Sequence, residues 1–156
     1  MALIPLYQGR GDATHIAGYA AVDDSDMPLV SQYKWRLFSL TSTLKYARRG
    51  GGSTPTTYMH DVVMGVNRGV DHRDRNGLNN RRSNLRLASH AQNMQNRKVR
   101  SDSISGVRGV RYDGRYWRAG VKVAGKAVWE KRFDTLEKAA VAVRQARAQL
   151  FSHAID

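Results

Sequence analysis

Apolar and polar positions along this chain fall into short runs, and the period of each run predicts an element. Leu3 to Leu6 and Ile16 to Val22 are short apolar runs of strand type, and Leu44-Lys45-Tyr46-Ala47 reads as another strand. Met27 to Phe38 has an apolar/polar pattern compatible with a short helix. Val70-Asp71-His72 and Leu85-Arg86-Leu87 read as two short antiparallel strands around a polar loop of Gly and Asn. Ser89, with Gln92 three residues on, forms a capping box that predicts a helix starting there and carrying Asn93 in its first turns.

Beyond residue 106 the pattern predicts three strands and one helix. Val107 to Tyr112 is strand-like, Asp113-Gly114 signals a tight hairpin, Tyr116 to Val123 alternates, and Ala124-Gly125-Lys126 turns the chain into Ala127 to Phe133. Asp134, as N-cap with Glu137 three residues on, opens a helix whose apolar stripe is Leu136, Ala139, Ala140, Val143, Ala146 and Leu150. That helix has to cover the strand face bearing Trp117, Ala119, Val121 and Val123, which leaves Tyr116, Arg118, Gly120 and Lys122 on an open basic face. Such a face is about wide enough to lie in a DNA major groove. The expected class is therefore α+β. An N-terminal α+β segment, 1–56, is too small to bury a core alone and packs on a strand–loop–strand–helix motif, 57–97; a basic linker, 98–105, leads to a three-stranded antiparallel sheet packed on one helix, 106–156.

Composition narrows the partner. The 156 residues carry 26 Lys and Arg against 13 Asp and Glu, a net charge of +13 and a pI near 10.6, which points to a polyanion. By segment the excess is +2 for 1–56, +6 for 57–100 and +5 for 101–156, so it lies after residue 56. The absence of Cys excludes disulfides, thiol nucleophiles and thiolate-bound zinc. No apolar run has the roughly 18 residues of a membrane span, and Met1 to Leu6 lacks the basic start of a secretion signal; a cytoplasmic location and no membrane partner are expected.

The densest chemistry lies between residues 59 and 97. Strand, loop and helix can bring Asp71, His72 and Asn93 together although they are distant in sequence. Phosphodiester hydrolysis needs a base to activate water and a cation to neutralise charge developing on the phosphate. A carboxylate and an amide oxygen are hard ligands for Mg2+ or Mn2+, and an imidazole titrating near neutrality suits the base. His90, one turn before Asn93, is the competing ligand. Asp74 reads as a residue that fixes a turn, and His60, beside the apolar run Val62 to Val66, as a packed, hydrogen-bonded structural histidine. Arg73, Arg75, Arg81, Arg82 and Arg86 read as phosphate contacts.

With its runs Asp71-His72-Arg73-Asp74 and Asn79-Asn80-Arg81-Arg82-Ser83-Asn84-Leu85-Arg86, the segment 59–97 resembles the HNH endonucleases of the ββα-metal superfamily, in the form found in phage and intron homing enzymes. The resemblance implies a divalent-metal-dependent DNA endonuclease of homing or nicking type that leaves a 5′-phosphate and a 3′-hydroxyl. His72 would be its general base, Asp71 and Asn93 the ligands of one Mg2+ or Mn2+, and Asn84 a brace across the loop. The third signature position is Asn here instead of His.

Residues 106–151 resemble the plant ethylene-response-factor (APETALA-type) DNA-binding domain through Val107-Arg108-Gly109-Val110-Arg111, the Trp117-Arg118-Ala119 strand and Phe133-Asp134-Thr135. There the sheet reads the major groove. By position this implies DNA-facing roles for Arg108, Arg111, Lys122 and Trp129, with Arg118 and Lys131 on phosphates; Trp129 also fits a core position. Double-stranded DNA is the expected partner, with no small-molecule substrate, and with both monomer and homodimer open. If the chain is phage-encoded, its compartment is the cytoplasm of a bacterial host. The reading from another class is a non-cleaving DNA-binding regulator with a structural HNH remnant.

Overall fold

The computed structural model describes residues 1–9, 14–97, 99–100 and 102–153, and its fold is α+β. Lys98 and Ser101 of the expected linker, and the last residues of the expected C-terminal domain from 154 on, lie outside the described residues. The chain divides into two compact units, Met1–Ser89 and a second beginning at His90. The motif expected at 57–97 is thus shared out, its strands in the first unit and its helix in the second.

The first unit is built on a five-stranded sheet of order β2-β1-β3-β4-β5. Its strands are β1 (Ala2–Gln8), β2 (His15–Val22), β3 (Trp35–Ser39), β4 (Lys45–Gly51) and β5 (Thr54–Tyr58). The β1/β3 pair is parallel and the other pairings are antiparallel. The helix expected over Met27 to Phe38 is only α1 (Met27–Ser31); Trp35 opens β3 instead. A fully buried Trp35, its indole N–H donating to the Val30 carbonyl at 2.8 Å, gains more from joining the sheet core than from extending a helix. The glycine-rich stretch after Arg49 closes the β4/β5 hairpin. Gly50, at φ +76, permits this because a Cβ there would collide with the Pro55 carbonyl.

Helix α2 (Met59–Met64) ends at Gly65 in the left-handed region, where the amides of Gly65 and Val66 turn back to the Val62 and Asp61 carbonyls. That cap sends the chain into β6 (Val70–His72), antiparallel to β7 (Leu85–Leu87) as the alternation predicts. Ile4, Leu6, Val22, Val30, Trp35, Met59 and Val63 form one core with Val70 and Leu85. Each such buried side chain contributes roughly 1.5–3 kcal/mol. Val70 and Leu85 therefore moor the short strand pair that carries Asp71 and His72.

The second unit begins with α3 (His90–Gln95) and continues to a three-stranded antiparallel sheet, β8 (Val110–Tyr112), β9 (Trp117–Val123) and β10 (Lys126–Phe133), packed on α4 (Leu136–Leu150). Val110, Ala119 and Val121 meet Ala139, Val143 and Ala146, the faces that the two periodicities predict. The helix cap is Thr135, whose side chain accepts from the Lys138 amide, and not Asp134, which pairs with the Lys138 ammonium at 2.8 Å. Among the described residues no helix is long and apolar enough to cross a membrane.

Candidate active site

Strand β6 is buried throughout, Asp71 and His72 included. Asp71 is in register with Arg86, whose Nε at 2.9 Å and Nη2 at 2.6 Å donate to Asp71 Oδ2. Arg86, expected on phosphate, is therefore held by a carboxylate with its side chain only 10% exposed.

His72 closes the strand, and its Nε2 lies 3.1 Å from Oδ1 of Asn80, which is fully buried. The Asn80 amide nitrogen points to Met59 Sδ at 3.5 Å, so its oxygen is the atom turned to the imidazole. An amide oxygen only accepts, which puts the ring proton on Nε2 and the lone pair on Nδ1. Burial lowers the His72 pKa below the ordinary histidine value, against the opposing pull of the Asn80 bond and of Asp74 and Asp71, so the ring is neutral at pH 7.

Around His72 stand aromatic rings. Tyr46 of β4 has its centroid 6.0 Å away, and His60 of α2 is edge-on at 5.0 Å. Tyr58 stacks on His60 at 5.3 Å. His60 is packed as expected, but its buried Nδ1 has no hydrogen-bond partner among the described residues. Desolvation, with the second imidazole beside it, drives its pKa to about 3. The hydrogen bond expected of this histidine is missing at Nδ1 because α2 lays the ring among Tyr46, Tyr58 and His72, which pack on it without offering that nitrogen a partner.

The loop from Arg73 to Asn84 is organised by Asp74. Its Oδ1 accepts from the Asn76 amide at 2.8 Å and from Asn84 Nδ2 at 2.9 Å, and its Oδ2 accepts from Asn79 Nδ2 at 2.7 Å. Asn84 returns the bond through Oδ1, which accepts from the Asp74 amide at 3.0 Å, and also donates to the Asn79 carbonyl at 2.7 Å. Burial works against the Asp74 charge, yet the bonds from Asn79, Asn76 and Asn84 hold the carboxyl below its ordinary range. Arg75 sits in this loop at φ +63 and Arg81 Nε donates to Asn79 Oδ1. Arg73 is exposed. Arg82 grips Asp26 with Nε and Nη2 at 2.7 to 3.1 Å.

In the second unit, Asn93 and His90 lie on α3, both exposed. Arg108 donates to the carbonyls of Met94, Gln95 and Arg97, and buried Arg147 to that of Gln95 at 3.2 Å, so two guanidinium groups satisfy the carbonyl end of α3. Arg108, expected on DNA, is thus engaged with backbone. Arg111 meets Glu130 at 3.2 Å and Arg118 meets Asp113, whereas Lys122 and Lys131 are exposed. Trp129 is in register with Val121 beyond a bulge and is partly buried against the helix-covered core. In the expected linker, Arg100 pairs with Asp102 at 2.8 Å and buried Ser105 donates to the Val110 carbonyl at 2.7 Å.

A divalent cation fits this chemistry in part. Asp71 is a buried carboxylate next in the strand to a neutral imidazole, and its Oδ2 accepts from Arg86. Among the described residues no three His, Cys, Asp or Glu side chains converge, so any cation here needs amide, water and phosphate oxygens for the rest of its shell, as hard divalent ions accept. Sequence reasoning missed that Asn80 and Tyr46 meet His72, and it marked His60 as a packed residue without placing it there. Asn80 stands in a run of loop-forming Asn residues, and Tyr46 and His60 belong to other elements, so spacing gave no signal for their meeting with His72.

A profile of the HNH endonuclease family matches residues 66–95, the span from the end of α2 to α3. The chain is 31% identical over 147 residues to a protein of Acanthamoeba polyphaga mimivirus described as an uncharacterised HNH endonuclease, covering 92% of this chain and 74% of that protein. No solved structure matches the chain.

Proposed function

Starting from the chain's membership of the HNH endonuclease family, we propose that it hydrolyses phosphodiester bonds of double-stranded DNA, with His72 as general base and Asp71 and Asn93 as ligands of one Mg2+ or Mn2+. The observation that carries this reading is the buried Nε2 to Oδ1 contact of 3.1 Å between His72 and Asn80. It supports a neutral ring with its lone pair on Nδ1, the form that can take a proton from water. His72 removes that proton as the water oxygen attacks phosphorus and the 3′ oxygen departs in line. The cation, when bound, supplies Lewis-acid stabilisation of the charge on the phosphate and the leaving oxygen.

Asn84 acts through the loop, holding Asp74 and Asn79 so that the chain following His72 keeps its shape. Arg73, Arg75 and Arg81 take flanking phosphates, and the sheet of the second unit, with Arg111, Arg118, Lys122 and Lys131, grips the duplex. Asn93 is assigned as ligand on its sequence position alone. One site per chain cuts one strand, so the reaction of a single chain is a nick.

The test is supercoiled plasmid incubated with wild type and with His72→Ala, in Mg2+ with and without chelator. Open-circle product from wild type only, and only with free metal, is expected. A variant cutting within a few-fold of wild type removes His72 as base, and binding without metal-dependent cutting leaves the non-cleaving regulator.

A further inference from the structure

The first unit carries positive charge that its own carboxylates leave unanswered. Residues 27 to 60 contain Lys34, Arg36, Lys45, Arg48 and Arg49 and neither Asp nor Glu. Among the described residues none of these five side chains enters an ion pair, while Arg82, Arg86, Arg111 and Arg118 all do. The modest +2 of the first 56 residues conceals this separation, because Asp12, Asp23, Asp24 and Asp26 all precede Met27.

Sheet register concentrates the charge. Arg36 of β3 lies directly opposite Arg48 of β4, and Arg48 opposite Tyr58 of β5, so the three share a face with Phe38 and Tyr46. Like charges directly opposed in an antiparallel pair destabilise it unless something else answers them. The Arg48 guanidinium lies over the Phe38 ring at 3.9 Å, a contact that uses its flat face and fixes the group without neutralising it. Arg36 donates to the Gly9 carbonyl, which also leaves its charge in place. On the same face Tyr46 reaches the His72 ring at 6.0 Å. A charged, uncompensated, aromatic-lined sheet face therefore runs up to the proposed general base.

We infer that the β3/β4/β5 face is a second DNA-binding surface, on which Arg36 and Arg48 take backbone phosphates of the strand leading into the His72 site. The location of the cut rests on the nuclease reading; the binding does not. Duplex DNA is the occupant that matches, because two fixed guanidinium groups in one row ask for a polyanion with repeated charges and a stiff backbone.

The experiment measures affinity of the full chain for a short labelled DNA duplex by fluorescence anisotropy over a range of salt, in chelator so that nothing is cut. Wild type is compared with the double variant Arg36→Gln, Arg48→Gln and with Arg36→Lys, Arg48→Lys, each checked for fold by circular dichroism. Losing two phosphate contacts should reduce the slope of log affinity on log salt by about 1.8, and the lysine pair should restore most of it. An unchanged slope in the folded glutamine variant overturns the surface, as does a wild type that prefers the RNA duplex of the same sequence. A slope that falls in a protein unable to nick plasmid keeps this surface and removes the nuclease; an unchanged slope in a protein that nicks removes this surface alone.

Discussion

His72 and Asn80 meet tip to tip inside the first unit, Nε2 to Oδ1 at 3.1 Å, with Asn80 wholly out of solvent. This contact sets the tautomer of the proposed base, so its loss should tell on the chemical step more than on binding. Asn80→Ala is expected to lower kcat for cleavage on the order of 10²-fold with KM little moved. Single-turnover cleavage of a labelled duplex measures it; an unchanged rate would mean the ring keeps its reactive nitrogen without help.

Asp71 and Arg86 form an ion pair with side chains only 6% and 10% exposed. Removing the guanidinium takes this counter-charge away from a buried carboxylate. Arg86→Met should cost about 3–5 kcal/mol of folding stability by urea denaturation in the absence of metal. If Asp71 is a metal ligand, saturating Mg2+ should recover part of that loss in the variant, and no recovery counts against the ligand role.

Gly77 lets the loop touch the sheet. A Cβ there would press on the Lys45 carbonyl and stand 2.5 Å from Tyr46 Cδ1. Gly77→Ala must displace the ring that contacts His72, and should cost roughly 1–3 kcal/mol and slow cleavage as well. Thermal unfolding alongside the nicking assay checks both; a stable, fully active variant would show that Tyr46 moves aside without consequence.

The pH dependence of stability follows from His60. Its pKa is about 3 in the folded chain, against an ordinary 6.5 when unfolded. Between those values the unfolded chain binds the extra proton, so stability is highest above the ordinary histidine value and falls as pH drops towards 3, by an amount on the order of a few kcal/mol. Burial lowers His72 in the same direction. Asp61, whose pKa burial raises, contributes in the opposite sense as its carboxyl protonates. Replacing His60 with Phe, which keeps a ring on Tyr58 and removes the partnerless Nδ1, should flatten the acid limb without loss of stability at pH 7. Urea titrations at several pH values decide; an unaltered acid slope sinks the assignment to His60.

Much of the architecture was legible because local periodicity is a local property. Val70-Asp71-His72 and Leu85-Arg86-Leu87 pair in register, and the Ala139, Val143 and Ala146 stripe meets the Ala119 and Val121 face. Met27 to Phe38 misled because one apolar pattern serves either a helix or a turn of helix followed by a strand, and only the buried seat of Trp35 chooses between them.

The linear order of residues by itself determined which groups are present for chemistry: an Asp71-His72 strand end, a loop of Asn residues, a basic surplus and no thiol. Tertiary structure alone decided what each group faces. It tied Arg86 to Asp71 and Arg82 to Asp26, set Asn80 against His72, and turned Arg36 and Arg48 onto one uncompensated sheet face. The reason is physical: a charge's effect depends on distance and desolvation, and both are fixed by packing between elements remote in sequence, which no spacing along the chain encodes.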